Sequence, residues 1–206
     1  MYIALCLSLL LTFSYKIVEI IIKRFSANLV RYSLYFWAVG ILILVPFFKW
    51  NYIINSPSNI IKVMPVFLIL LIANCIVSRY SGYNPVGKFN TINFIIVWPV
   101  IEEIVFRGLI LPYLNQYLAT GQIFEFIFLP VSYTVIISAL LFAICHLQYY
   151  KLSRQSTRFM VFAFVGGITF GGLADITHSI LLTCVLHIEF NFLAVYFAKK
   201  SLRNRS

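Results

Sequence analysis

Glu102 and Glu103 stand side by side, with Arg107 four residues on, inside one of the most apolar stretches of the chain. The run Phe94-Ile95-Ile96-Val97-Trp98-Pro99-Val100-Ile101 leads in, and Gly108-Leu109-Ile110-Leu111 leads out. The whole sequence has six acidic residues, so two together at this place demand an explanation. A charge at the centre of a membrane span costs about 2.5–3.5 kcal/mol on insertion scales and marks function by default. Adjacent residues lie about 100° apart around a helix, so the two carboxylates must face different partners. Glu103 and Arg107 fall on one face in the favourable acid-first order and pair naturally. Glu102 is left without a local cation, which suits a general base for water.

Two later apolar runs supply the other parts of a hydrolytic site. Phe142-Ala143-Ile144-Cys145-His146 is one; His187-Ile188-Glu189-Phe190-Asn191 is the other, with His187 and Asn191 four apart on one helix face. A lone histidine or asparagine in a span is often hydrogen-bonding glue between helices. Glu102, Glu103, Arg107, His146, His187 and Asn191 together, in three apolar spans, ask for more than glue. They provide a carboxylate base, imidazoles to orient water or protonate the leaving amine, and an amide for an oxyanion. Glu189 lies about 200° from His187 and faces elsewhere; it needs a polar partner on another span, the first being the candidate. Cys145 reads as a small buried hydrophobe rather than a nucleophile. Asp175 and His178 read as a solvated turn at the outer boundary.

The elements that must position these groups are membrane spans. The chain has 206 residues, of which 62% are hydrophobic and 11% charged, against about half and a quarter in soluble domains. The apolar residues come in long runs rather than an amphipathic pattern, so the expected fold class is all-α: a polytopic transmembrane helix bundle of about seven spans. The spans are approximately Tyr2–Ile22, Tyr32–Phe48, Ile60–Val77, Phe89–Leu118, Phe124–Leu147, Phe159–Ala174 and Ser179–Ala198. The first lacks a basic n-region and cleavage site and reads as a retained span, with Lys16 and Glu19 spaced to pair. The fourth carries Pro99 and Pro112 and should be kinked or broken in two. Residues 1–206 read as one integral membrane domain, with a catalytic core over 90–195.

Net charge is +10, but the basic residues are scattered between apolar runs, which points to topology and anionic lipid rather than nucleic acid. Lys23, Arg24, Arg31, Arg79, Lys88, Lys151, Arg154, Arg158, Lys199, Lys200, Arg203 and Arg205 fall in alternate connections and the tail. The positive-inside rule then puts the carboxyl terminus in the cytoplasm and the amino terminus outside. Depth is a partial check. Glu102 is about 20 Å along its helix from the cytoplasmic end and His187 about 18 Å from Lys199, but His146 is only about 8 Å from Lys151. Either the fifth span tilts and continues past Tyr150, or the site funnels open toward the cytoplasm, or a kink at Pro99 lifts Glu102. The four cysteines form no Cys-x-x-Cys pair and suggest neither disulfides nor a zinc ribbon.

The ordered set Glu-Glu-x-x-x-Arg, Phe-x-x-x-His and His-x-x-x-Asn resembles the CPBP (Abi) family of intramembrane proteases, which includes type II CAAX prenyl endopeptidases and bacteriocin-processing enzymes. The stretch Phe164-Val165-Gly166-Gly167-Ile168-Thr169-Phe170-Gly171-Gly172, before Thr177-His178-Ser179-Ile180, resembles the family's glycine-rich span. His178 stands where the family usually has a small residue. The likeness covers roughly residues 90–195. It implies that Glu102 activates water, that Glu103 and Arg107 support it, that His146 and His187 orient the water, and that Asn191 serves the oxyanion. It implies a peptide or membrane-anchored protein substrate in the lipid bilayer. No cofactor is expected, although Glu102, His146 and His187 could in principle bind zinc. The glycines also have a packing explanation, the small-x-x-x-small pattern of close helices.

An intramembrane endopeptidase is therefore the leading expectation, of minimal prokaryotic type and located in the plasma membrane. The alternative is a non-enzymatic Abi-like bundle serving bacteriocin self-immunity or binding a partner. A proton-coupled transporter is disfavoured because no internal repeat is visible. An intact motif set separates the first two readings, since a mere binder has no need of every member.

Overall fold

The computed structural model describes residues 2–53, 55–118 and 121–203; Arg205 of the basic tail lies outside them. Three helices open the chain: α1 (Tyr2–Phe25), α2 (Ser33–Leu44) and α3 (Ile60–Val77). Residues 88–117 then form one unbroken helical rod. It consists of α4 (Lys88–Ile92), a π-helical stretch Asn93–Val97, α5 (Trp98–Glu103), a second π stretch Ile104–Ile110, and α6 (Leu111–Tyr117). A hairpin of β1 (Gln122–Phe126) and β2 (Leu129–Ser132) follows, and then α7 (Tyr133–Cys145), α8 (Arg154–Thr177) and α9 (Leu181–Arg203).

Five of the described helical segments are long and apolar enough to cross a membrane: Tyr2–Phe25, Ala27–Phe47, Ile60–Tyr80, Arg154–Thr177 and Leu181–Arg203. The protein is an integral membrane helix bundle, with five rather than about seven helices meeting that criterion. The two expected spans that fall short do so for different reasons. The fourth is the rod, which neither breaks nor ends at its prolines. Pro99 and Pro112 each stand near the start of the α segment that follows a π stretch. A proline removes an i→i−4 bond and crowds the preceding turn, and a π turn is one way a helix absorbs that misfit.

The fifth expected span is wrong over its first third. Residues 122–132 form an antiparallel hairpin, with Phe126 opposite Leu129 and Gln122 opposite Ser132, and of the expected span only the part within Tyr133–Gln148 is helical. Its two turn residues, Ile127 and Phe128, have φ of 52° and 60°, the left-handed region that two-residue hairpin turns require and that Asn-Gly normally supplies. Neither residue announces it. Ser132 caps α7 by accepting from the Val135 backbone N–H, and Ser153 with Ser156 forms a capping box on α8.

The core sits around the rod. Val105, Leu109, Ile110, Leu111 and Leu114 are fully buried, as are Glu103 and Arg107 among them. Long helices cover the rod on several sides and turn leucine, isoleucine and phenylalanine side chains outward, as a lipid-facing surface requires. The glycines of α8 seat it against α7 and the hairpin. A Cβ on Gly167 would meet the Ala139 Cα and Cβ at 3.0 Å, one on Gly171 the Val135 Cγ1 at 3.0 Å, and one on Gly172 the Pro130 carbonyl oxygen at 3.0 Å. Gly166 has nothing within 4 Å and is the exception.

Glu189 finds its partner on α3, not on the first span: Asn74 Nδ2 donates to its Oε2 at 3.0 Å. The expected Lys16–Glu19 pair forms at 2.6 Å. Gly167→Leu should destabilise the protein by about 1–3 kcal/mol or more through overpacking against backbone that cannot yield. Gly166→Ala should be tolerated. Thermal unfolding of the two variants in detergent micelles measures the contrast.

Candidate active site

The rod brings Glu102, Glu103 and Arg107 into the core, and α9 brings His187 to meet them. Arg107 Nη1 donates to Glu103 Oε1 at 3.1 Å, the i,i+4 pair read from the spacing. The same Oε1 lies 2.9 Å from His187 Nδ1. On the other side of that imidazole, Nε2 lies 3.8 Å from Glu102 Oε2. His187 therefore stands between the two carboxylates. A carboxylate held by a guanidinium can only accept, so the Nδ1 proton belongs to the bond with Glu103 and Nε2 is turned toward Glu102.

Aromatic rings complete the cradle. The Arg107 guanidinium carbon lies 4.3 Å from the Phe142 ring centroid and 5.7 Å from that of Phe170. His187 sets its ring near both, at 5.9 Å from each centroid. Rings over a buried guanidinium supply attraction where water cannot. Phe142 also packs edge-on against His146 at 5.4 Å and Phe106 at 5.2 Å. One phenylalanine thus links Arg107 with both histidines. Spacing alone singled out Phe142 only as a motif letter, and Phe170 was hidden among the glycines.

His146 and Asn191 are anchored to backbone. His146 Nδ1 lies 3.0 Å from the Phe142 carbonyl oxygen, which can only accept, leaving Nε2 as the free nitrogen. Asn191 donates to the Phe94 carbonyl at 2.7 Å, and its second N–H remains for other use. That carbonyl belongs to the first π stretch. The second stretch is held likewise: Ser138 donates to the Phe106 carbonyl at 3.0 Å, and the Tyr52 backbone N–H to the Gly108 carbonyl at 3.1 Å. Helix α9, helix α7 and the loop after α2 each bond to a carbonyl of the rod on either side of the glutamates. Backbone groups away from water need such partners.

Beside this centre lies an aromatic wall. Tyr15, Trp98 and Tyr149 meet pairwise with centroids 4.9–5.3 Å apart, and Trp37 closes on Tyr15 and Trp98. Tyr149 also meets the His146 ring at 6.4 Å. Cys145 is buried beside His146 and gives its thiol to the Phe142 carbonyl. Asp175 is not a solvated turn. It is half-buried and accepts from Asn115 Nδ2 at 2.7 Å and the Tyr52 hydroxyl at 3.3 Å, while His178 is exposed and ends α8 at φ 49°.

A zinc ion would need three or more donors converging at about 2 Å. Among the described residues no group of three or more His, Cys, Asp and Glu side chains is arranged to hold a metal. Glu102 and His187 face one another at 3.8 Å, and no third such side chain joins them in a metal-holding group among the described residues.

A bundle of membrane-spanning helices that buries a carboxylate–imidazole–carboxylate array defines the class: an integral membrane protein with ionisable side chains gathered in its core. Residues 84–193 match the family described as Type II CAAX prenyl endopeptidase Rce1-like. The chain belongs to that family, the membrane-embedded CAAX-type peptidases, which act on peptide or protein substrates. No curated protein and no solved structure matches the chain.

Arg107→Met should leave the Glu103 charge buried without its cation, costing about 3–5 kcal/mol of stability. Glu103→Gln combined with Arg107→Met should recover much of that loss. Unfolding of the single and double variants in micelles gives the coupling directly.

Proposed function

We propose that this protein is an intramembrane endopeptidase in which Glu102 is the general base for the attacking water. The observation that carries the reading is His187 held between two carboxylates, with Nδ1 fixed by Glu103 and Nε2 standing 3.8 Å from Glu102 Oε2. With Nδ1 carrying the proton, Nε2 offers a lone pair, as the Glu102 carboxylate does. Two acceptors facing at that distance are too far apart to bond directly and are suited to share one molecule that donates to both. Water, with two O–H bonds, is such a molecule.

In this mechanism Glu102 takes a proton from the water as its oxygen attacks the peptide carbonyl. Glu103 and Arg107 keep His187 in the required tautomer and orientation, much as a buried carboxylate orients a catalytic imidazole elsewhere. His187, and His146 through its free Nε2, are the groups we assign to relay the proton from Glu102 to the leaving amine. The remaining N–H of Asn191 is the candidate donor to the oxyanion. The whole chain acts as one membrane domain, with its basic end in the cytoplasm and the substrate entering from that side. The substrate is a peptide or protein held at the membrane by an anchor or an apolar leader. Completeness of the motif set, with a geometry in which each member has work, favours catalysis over a partner-binding bundle.

Glu102→Gln should lower kcat by about 10²- to 10⁴-fold, the usual weight of a general base, with an unchanged melting temperature. The assay is cleavage of quenched-fluorescent peptides carrying either an apolar leader or a prenylated C-a-a-X tail, in proteoliposomes. Wild-type cleavage by Glu102→Gln would remove Glu102 from the mechanism. Stringent chelation should leave the rate unchanged, and a loss restored by zinc alone would overturn the metal-free reading.

A further inference from the structure

The loop between α2 and α3 precedes the family-matched segment, yet its Tyr52 bonds to three elements that converge on the site. Its backbone N–H donates to the Gly108 carbonyl, directly after Arg107 on the rod. Its carbonyl accepts from the Ile180 N–H at 3.1 Å, about two turns ahead of His187. Its hydroxyl donates to Asp175 Oδ1 of α8 at 3.3 Å and accepts from Asn115 Nδ2 of the rod at 3.2 Å. Asn115 in turn donates to the same Asp175 oxygen at 2.7 Å. Ile53, next in the loop, packs so closely on Gly108 that a Cβ there would lie 2.7 Å from Ile53 Cγ1.

We propose that Tyr52 is a positioning residue for the hydrolysis: its hydroxyl, bonded to Asp175 of α8 and Asn115 of the rod, holds in place the loop backbone whose bonds to Gly108 and Ile180 set the separation of Glu103 and His187. The proposal rests on the function assigned above. Three features support it. Glu103 and His187 arrive on different elements, so their 2.9 Å contact needs something that fixes one element against the other. The loop bonds fall on the rod just past Arg107 and on the residue before α9, the two places from which a shift would reach that contact directly. Burial, and then the Asp175 carboxylate, push the Tyr52 phenol above its ordinary range, so the hydroxyl stays protonated and keeps donating.

Tyr52→Phe keeps the ring and both backbone bonds and removes only the hydroxyl. It is expected to lower kcat by about 10- to 100-fold, the scale on which small misplacements act, while KM is unchanged. The ¹⁵N resonances of the His187 imidazole, assigned against His187→Gln in micelles, are expected to move with it. Asn115→Leu removes the donor to both oxygens from the other side and should repeat both effects. Asp175→Asn retains an acceptor at that position and should behave as the unmodified protein. A Tyr52→Phe protein whose His187 resonances stay in place, or whose kcat is unchanged, overturns the proposal. So does an Asp175→Asn protein that loses as much as Tyr52→Phe. Failure of the underlying reading looks different: Glu102→Gln would then cleave normally, while the His187 resonances would still report whether Tyr52 holds the contact.

Discussion

A guanidinium and a carboxylate sealed from both water and lipid tolerate little looseness. Glu103 and Arg107 are such a pair, fully buried on consecutive turns of the rod. Either charge alone would be expensive at this depth. Together they are bearable only because Phe142 and Phe170 flank the guanidinium and because the carboxylate has a second donor in His187. The pair therefore dictates where α7, α8 and α9 must stand. Helix α7 brings Phe142, α8 brings Phe170, and α9 brings the imidazole. With these three in place, the bond from His187 Nδ1 to Glu103 turns Nε2 toward Glu102.

The rod that carries the pair is held on both sides of it. Two π stretches bracket Trp98–Glu103, and single π turns inside helices often accompany function. A looser ladder is a cost in lipid unless neighbours supply hydrogen bonds. Asn191, Ser138 and Tyr52 supply them from three separate elements. On α8, glycines allow the approach that brings Phe170 to the guanidinium: Gly167 and Gly171 flank it in sequence and lie against Ala139 and Val135 of α7. Close packing and chemistry are thus two results of one arrangement. The glycines need no catalytic role to be required by the site.

Much of this was legible in the residues. The Glu103–Arg107 bond follows from a four-residue spacing, and the membrane class follows from long apolar runs around very few charges. The family likeness rested on motifs that do meet in space, at least for Glu102, Glu103, Arg107 and His187. What escaped was whatever depends on contacts between distant elements or on backbone without a side-chain signature. The turn at Ile127 and Phe128 carries none of the glycine or asparagine that marks a left-handed pair, so an apolar run passed for a span. Asp175 looked exposed because its partners, Tyr52 and Asn115, lie far away in sequence. Glu189 was correctly turned away from His187, but helix periodicity cannot say which neighbour it meets. The insertion of His187 between both carboxylates was invisible for the same reason: spacing on α9 fixes a face, not what the face touches.

The separation of the two carboxylates also assigns them unequal chemistry without any difference in residue type. Glu103 has a guanidinium and an imidazole N–H on a single oxygen, so its charge is neutralised locally and its role is to orient. Among the described residues Glu102 is paired with the far nitrogen of the same ring, at 3.8 Å. On the proposed mechanism, a water that donates to Glu102 and to Nε2 has both of its hydrogens committed. Its oxygen lone pairs must then point away from the carboxylate and the ring, which is the direction from which a peptide carbonyl can approach. The attacking orbital is thereby aimed by the same hydrogen bonds that activate it. That consequence depends on His187 keeping its proton on Nδ1, and hence on the ion pair between Glu103 and Arg107. A fully buried charge pair would thus decide which way a water molecule faces beside the neighbouring glutamate.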